Sequence, residues 1–400
     1  MSTTLITVTD ARACVVRAIA PLAAEAVAID DALDRVLAAD VHATGDVPPF
    51  ACSAMDGYAV IAGPGGRSWT VIGESRAGAP TPLRLSDGEA VRISTGAAVP
   101  AGATAVIPQE NVSLHGALIE TRDDVPAGQH IRHAGEDMRS HTTVLTQGTR
   151  LGPVELGATV AAGAGTVSVI RRPHVTVLCT GDELRAPGEP LRPGEIHNSN
   201  APMLTALAQR RGALTATAVR LPDDRGQTEA GLAAALERSD LVLVSGGVSV
   251  GPHDHVKPAL AALGVQELFW GVALQPGKPT WFGARDRTIV FGLPGNPVSA
   301  VVTFSLFARP ALDALQGAST IRHLEADAVL GAAVERNPRR EKALRVRLQR
   351  VDGRTTAIPN GAQGSHILSS LLGADGLAMI PPGPGTLEAG SMVALEELAY

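Results

Sequence analysis

From His174 onward, runs that read as buried strands alternate with runs that read as helices. The strands are HVTVLCT, LTATAVRL, LVLVSGG and TIVFGL, and the helices fall over 200–212, over 227–237, up to about 263, and over 298–315. Strand and helix in turn leave a parallel, doubly wound sheet as the economical fold, with ligands at the carboxyl ends of its strands. Three of those ends are polar, small or charged: Thr180-Gly181-Asp182-Glu183-Leu184, Ser245 to Gly251 followed by Asp254, and Leu293-Pro294-Gly295-Asn296-Pro297. In a parallel sheet such ends face one way, so three loops distant in sequence are expected to meet at one crevice.

The central end, DLVLVSGGVSVGPHDHVK from Asp240 to Lys257, is a strand that empties into a glycine loop and then an acid. Glycines let backbone N–H groups approach an oxyanion, and Asp254 can hold an accompanying metal. The loop by itself is equally a tight turn. His253 and His255 flank Asp254 at i, i+2. On a helix they face apart, which argues against a zinc pair.

Upstream, Thr9 is placed as the cap of a helix stopped by Pro21, with a second short helix over 31–39. From Asp46 short alternating strands take over (69–72, 90–93, 104–107, 117–120), separated by glycine and proline turns. Helical pattern returns over 153–162, ended by Gly163, so a first domain resumes after a β-rich insert. Past residue 326 Leu344, Val346 and Leu348 alternate with Arg345, Arg347 and Gln349, as in a small barrel or sandwich. The arginines, with Arg339, Arg340 and Lys342, read most simply as a solvated strand face, with a partner or phosphate site as the second reading. The expected organisation is thus 1–45 with 138–173, an insert over 46–137, an α/β domain over 174–325 and a C-terminal barrel over 326–400.

A net charge of −6 gives no global attraction for nucleic acid or anionic membrane, so an anion site has to be built locally. Three cysteines in no metal spacing suit a reducing, cytoplasmic setting. The first residues lack the charged and apolar regions of a signal peptide, and no apolar run approaches the ~20 residues of a spanning helix.

Taken in order, SAMDGYAV (53–60), TGDEL (180–184), SGGVSVG (245–251), PGKP (276–279) and LPGNPVSA (293–300) resemble the MoeA family, the molybdopterin molybdenumtransferases, along essentially the whole chain. The resemblance implies a multidomain α/β enzyme: a doubly wound, mostly parallel molybdopterin-binding domain, an N-terminal helical and linker domain, an inserted β-rich domain and a small C-terminal β-barrel. It implies Mg2+-dependent insertion of molybdate into adenylylated molybdopterin with release of AMP. A homodimer is implied as well, with transient contact to a molybdopterin adenylyltransferase and to acceptor molybdoenzymes.

The family's important positions carry over to Asp56, Thr95, Asp137, Glu183, Asp223, Asp254 and Lys278, with Glu183 and Asp254 as metal ligands. Gly181, Asp182, Ser245, Gly246, Gly247, Ser249, Gly251, Gln275, Pro294, Asn296, Pro297 and Ser365 are the expected contacts to the pterin nucleotide and oxyanion. Several have plainer readings. Asp56 and Thr95 suit turns, Asp137 a solvated loop, and Asp182 or Glu183 the first turn of a helix. Capping explains one of Asp223 and Asp224, and Asn296 can cap the helix after it. Lys278, between Gly277 and Pro279, sits in a stiff turn that favours anion contact.

The chain departs from the family pattern at Gln275, where a basic residue is common. One fewer cation at an anion site leaves more of the attraction to Lys278. Two other readings compete: an enzyme that adenylylates molybdopterin, and a non-catalytic scaffold like the gephyrin relatives. The long N-terminal portion and the C-terminal barrel count against the first, and the lack of an added domain against the second.

Overall fold

The computed structural model describes residues 5–248, 254–319 and 326–398. Its centre is a six-stranded sheet ordered Thr215–Leu221, His174–Thr180, Leu241–Ser245, Thr288–Leu293, Trp281–Arg285, Gln266–Trp270. The first four strands run parallel, Trp281–Arg285 runs against them, and Gln266–Trp270, antiparallel to Trp281–Arg285, runs with the first four, so the sheet is mostly parallel. The last two were not foreseen, because the segment Gln266–Trp270 carries two polar residues and lacks clean alternation.

Alternation along the parallel strands feeds two cores. Val175, Val177, Leu241, Leu243, Ile289 and Phe291 pack under the helix Asn200–Arg210 and the helical stretch from Pro297 to Leu315. Leu178, Val242, Val244 and Val290 pack under the helices Arg225–Arg238 and Val256–Ala262. Helices on both faces confirm the doubly wound layout. The stretch from Pro297 to Leu315 is apolar enough to cross a membrane by composition, but its most apolar window is 94% buried, so it is a core helix. Within it Phe304–Ala308 is π-helical, directly before Pro310. Proline has no N–H to give and its ring excludes the carbonyl four residues back, which accounts for the local widening.

Two expectations upstream are corrected. The first helix, Val8–Arg17, is capped by Thr7, whose hydroxyl accepts the Asp10 N–H at 3.0 Å, and it ends before Pro21. There is no helix over 31–39; a short 3-10 turn, Ile29–Asp31, leads instead into extended backbone. Asp34 sits at φ 63°, which stops a helix, and Val36 and Leu37 bridge to Arg150 and Val169 from beyond the insert. Tertiary pairing there overrides local propensity. Ala32, Leu37, Val41, Leu151, Val167 and Val169 form one core across the interruption.

The insert is a six-stranded sheet of its own, built on Gly57–Val60, Arg67–Ser75, Glu89–Ile93, Ala105–Pro108, Ser113–His115 and Leu118–Thr121, around fully buried Trp69. At the C-terminus Glu341–Val351, Arg354–Pro359, Ala326–Leu330, Met392–Glu397 and Gly376–Ile380 pair in that order, and the last pairs back to the first. Closure into a five-stranded barrel removes exposed edges. Leu274–Gln275 from the α/β region adds in parallel to Glu341–Lys342, setting Gln275 beside Lys342 and joining barrel to α/β domain. Arg345 corrects the solvated-face reading: it is 1% exposed. Arg339 and Arg347 are exposed as expected.

Candidate active site

Parallel register brings the three strand ends to one edge, with Thr180 opposite Leu221, and Cys179 and Leu293 both opposite Ser245. A cleft of about 680 Å3 opens there, lined by Glu183, Asn198, Asn200, Ser245, Asn296 and Pro297 among others. The expected convergence is therefore present. Glycine is required at its rim: Gly181 and Gly246 have φ of 147° and 93°, and a Cβ on Gly246 would lie 2.8 Å from Thr180 Oγ1. Their N–H groups are already committed, Gly246 to the Leu293 carbonyl at 3.1 Å and Gly181 to that of Leu221 at 3.2 Å. Any backbone grip on a phosphate must come from further along the loop. Gly247, at φ 66°, is the last glycine of it described, and Ser249, Gly251 and His253 lie outside the described residues.

Asp182 and Asp223 face each other at the rim, each carboxylate accepting the other's backbone N–H at 3.3 Å. Asp224 is the helix cap, accepting from Gln227 N at 2.8 Å, which leaves Asp223 without that duty. Asn200 does more than open its helix. It is 8% exposed, lies in the first helical turn, and its Nδ2 donates to Ser245 Oγ at 2.8 Å and to the Gly295 carbonyl at 2.7 Å, tying two strand ends together. The polar run HNSN was the available signal. Cys179, also in the lining, is pushed up to about 11 by burial, so it stays a thiol and offers no nucleophile at neutral pH.

A second cavity, about 330 Å3, lies between the PGKP turn and the barrel. Lys278, Arg340, Lys342 and Arg345 line it together with Gln275 and Ser365, and no acidic residue does among the described residues. Arg345 donates to Ser370 Oγ at 3.1 Å and to the Ala362 and Gly364 carbonyls at 3.3 and 3.2 Å, which holds the GSH segment in place. Gly277, at φ 125°, and the Thr280 hydroxyl, 2.7 Å from the Gly277 carbonyl, shape the turn that leaves Lys278 exposed. Arg340, Lys342 and Arg345 were missed because a strand pattern tells which face a residue takes, not what a neighbouring domain lays against it.

The two cavities adjoin. Asn296 does not cap with its side chain; its Nδ2 donates to Ser365 Oγ at 3.1 Å, and Val298 N donates to the Ser365 carbonyl at 3.2 Å. Pro294 is buried behind this junction and lines neither cavity, whereas Pro297 lines the cleft.

Asp254 is half-buried just ahead of the helix Val256–Ala262 and is not in either lining. Asp56, Thr95 and Asp137 also line neither cavity. Asp56 Oδ1 accepts from Thr95 N at 2.7 Å and Thr95 Oγ1 at 3.0 Å, and these bonds, the backbone one first, lower its pKa below the usual carboxylate value. Asp137 is exposed at the exit of the insert, its N–H donating to the Val47 carbonyl.

Three family models match successive parts of this chain: the MoeA N-terminal region (domain I and II) over residues 6–163, a probable molybdopterin binding domain over 176–314, and the MoeA C-terminal region (domain IV) over 327–398. The molybdopterin molybdenumtransferase of Haemophilus influenzae is 36% identical over 389 residues, with 94% of each chain covered. Molybdopterin molybdenumtransferase 2 of Mycobacterium tuberculosis is 37% identical over 386 residues, covering 93% of this chain and 94% of the relative. The crystal structure of the molybdopterin biosynthesis moeA protein from Pyrococcus horikoshii OT3 superposes with a TM-score of 0.84 at 30% identity, over 98% of this chain and 99% of that one. Sequence and fold agree from end to end, and the chain belongs to the MoeA family.

Proposed function

We propose that this protein inserts molybdate into adenylylated molybdopterin with release of AMP, as a Mg2+-dependent homodimeric enzyme of the cytoplasm. One observation carries the reading: a cleft at the strand ends and a cationic cavity adjoin through Asn296 and Ser365. Adenylylated pterin and molybdate are both anions that have to approach each other. A cavity with four cations and, among the described residues, no lining acid suits the oxyanion, each cation offering roughly 1 to 4 kcal/mol at 4 Å between water-like and partly buried conditions. The larger cleft, with amides, hydroxyls and Glu183, suits the pterin nucleotide.

The donor set at the cleft fits Mg2+, a hard cation that takes one or two carboxylates and completes its shell with water and phosphate oxygens. Glu183, in the cleft lining, would hold it, and Asp254, which lies outside that lining, is the second carboxylate that the family resemblance assigns. When bound, it would neutralise charge on the phosphate bridge and favour AMP as leaving group. The protein's own part is positional: Asn200 keeps the Ser245 and Gly295 loops in register, and the Asn296–Ser365 contact keeps the cavities adjoining. Asp56, Thr95 and Asp137, which line neither cavity, fit a site completed by the insert of the second subunit.

Incubation with adenylylated molybdopterin, Mg2+ and molybdate should release AMP in step with molybdenum bound to pterin. Consumption of ATP instead would make the protein an adenylyltransferase, and tight pterin binding without turnover would make it a scaffold.

A further inference from the structure

Gln275 lines the cationic cavity, and its environment gives the amide a defined direction. Asn337 Oδ1 accepts two backbone N–H groups, those of Arg339 and Arg340, both at 3.0 Å. An oxygen that accepts two N–H bonds cannot be exchanged for an amide nitrogen, so Asn337 Nδ2 has to be the group facing Gln275. Nδ2 donates to Gln275 Oε1 at 2.6 Å. Gln275 Oε1 is thereby fixed, and Nε2 is left with two N–H donors.

Among the described residues Nε2 has no hydrogen-bond partner, and it is not sealed from solvent, while the residue lines the cavity beside Lys278 and Lys342. We infer that Gln275 Nε2 is a neutral hydrogen-bond donor to the oxyanion held in this cavity, and that Asn337 is the positioning residue that turns the amide the right way round. The inference rests on the proposal that the cavity seats molybdate. It adds a specificity device. A directed N–H reads the position of an oxygen, and its contribution resists salt in a way that a lysine's does not. With four cations already lining the cavity, an amide here exchanges bulk attraction for geometry.

Molybdate titration of the full chain, followed by calorimetry and by side-chain 15N–1H NMR with glutamine-selective labelling, tests this. The Gln275 amide resonances, identified by their loss in Gln275→Leu, should shift as molybdate saturates. Gln275→Leu should weaken molybdate roughly three- to tenfold, as expected for one lost donor. Asn337→Asp keeps an oxygen for the Arg339 and Arg340 N–H groups but can no longer donate, so the Gln275 amide should turn over and present Oε1 to the cavity. Molybdate affinity should then fall about tenfold or more, and the amide resonances should no longer follow molybdate even at saturation.

If added negative charge alone caused the loss, the Gln275 resonances in Asn337→Asp would still shift, only at higher molybdate, and the positioning role would be overturned. Wild-type resonances that ignore saturating molybdate, while Lys278→Ala weakens binding, would overturn the inference and leave the oxyanion seat standing. Binding unaffected by Lys278→Ala would overturn the seat itself, and the inference with it.

Discussion

The two adjoining cavities are built by opposite means. The cleft at the strand ends is made by topology: parallel register sets Thr180, Ser245 and Leu293 along one edge, and glycines with positive φ let the loops turn away at once. The cationic cavity is made by docking: a barrel strand pairs with Leu274–Gln275 and carries Lys342 and Arg345, with Arg340 just before it, against the PGKP turn. The first holds neutral donors and Glu183; the second holds concentrated positive charge, with no lining acid among the described residues. Two anionic substrates can thus be gripped by different physics a short distance apart. A metal suits the phosphate side, and fixed cations suit the oxyanion side.

The largest effect should come from the carboxylates proposed to hold Mg2+. Asp254→Asn is expected to fold normally and lose Mg2+-dependent AMP release by on the order of a hundredfold or more, as for loss of a metal-holding carboxylate. Near-normal turnover at limiting Mg2+ would remove Asp254 from that role. Next is the oxyanion side. Lys278→Ala should raise the molybdate concentration for half-maximal turnover by roughly tenfold, and Gln275→Lys should lower it, for an attraction of about 1 to 4 kcal/mol per cation. If neither variant moves that concentration, the PGKP turn is only structural.

A smaller signal tests whether the insert of one subunit serves the cavities of the other. Inactive Asp56→Ala and inactive Asp254→Ala chains, once exchanged, should regain about a quarter of wild-type activity, because half of the dimers then carry one intact site in two. No recovery despite proven exchange would confine each site to one chain. The smallest concerns Asp56. Its pKa is lowered chiefly by the Thr95 backbone N–H and then by the Thr95 hydroxyl. A lowered carboxylate stabilises the fold above its unfolded pKa, near 3.9, and that support is lost as pH falls through the folded value. Thr95→Val keeps the first bond and removes the second, so a carboxyl NMR titration should show a partial rise; no rise would make the hydroxyl irrelevant to Asp56.

How far this was legible in the sequence follows the same division. Strands His174–Thr180 and Leu241–Ser245 were readable because burial on both faces leaves a nearly continuous apolar run, interrupted only by Thr176 in the first, and their polar ends followed from parallel topology. Gln266–Trp270 was not, since an edge strand exposed on one side carries a weaker pattern. The missing helix over 31–39 shows a local propensity overruled by strand bridges to residues more than a hundred positions away. At the site, Glu183, Ser245 and Asn296 came from local motifs, whereas Asn337 acts through a contact between domains and Arg345 through bonds to a later segment of its own domain, neither of which residue spacing encodes. Arg345 alternates with apolar neighbours as an outward residue would, yet it is buried because the segment from Ala362 to Ser370 folds over it.

The most direct test of two separate anion seats is equilibrium binding of molybdate to metal-free protein, comparing wild type with Lys278→Ala and Glu183→Gln. Molybdate should bind without Mg2+, lose roughly tenfold in affinity with Lys278→Ala, and be unchanged with Glu183→Gln. Binding that requires Mg2+ and is lost with Glu183→Gln but not with Lys278→Ala would put the oxyanion in the strand-end cleft and contradict the account.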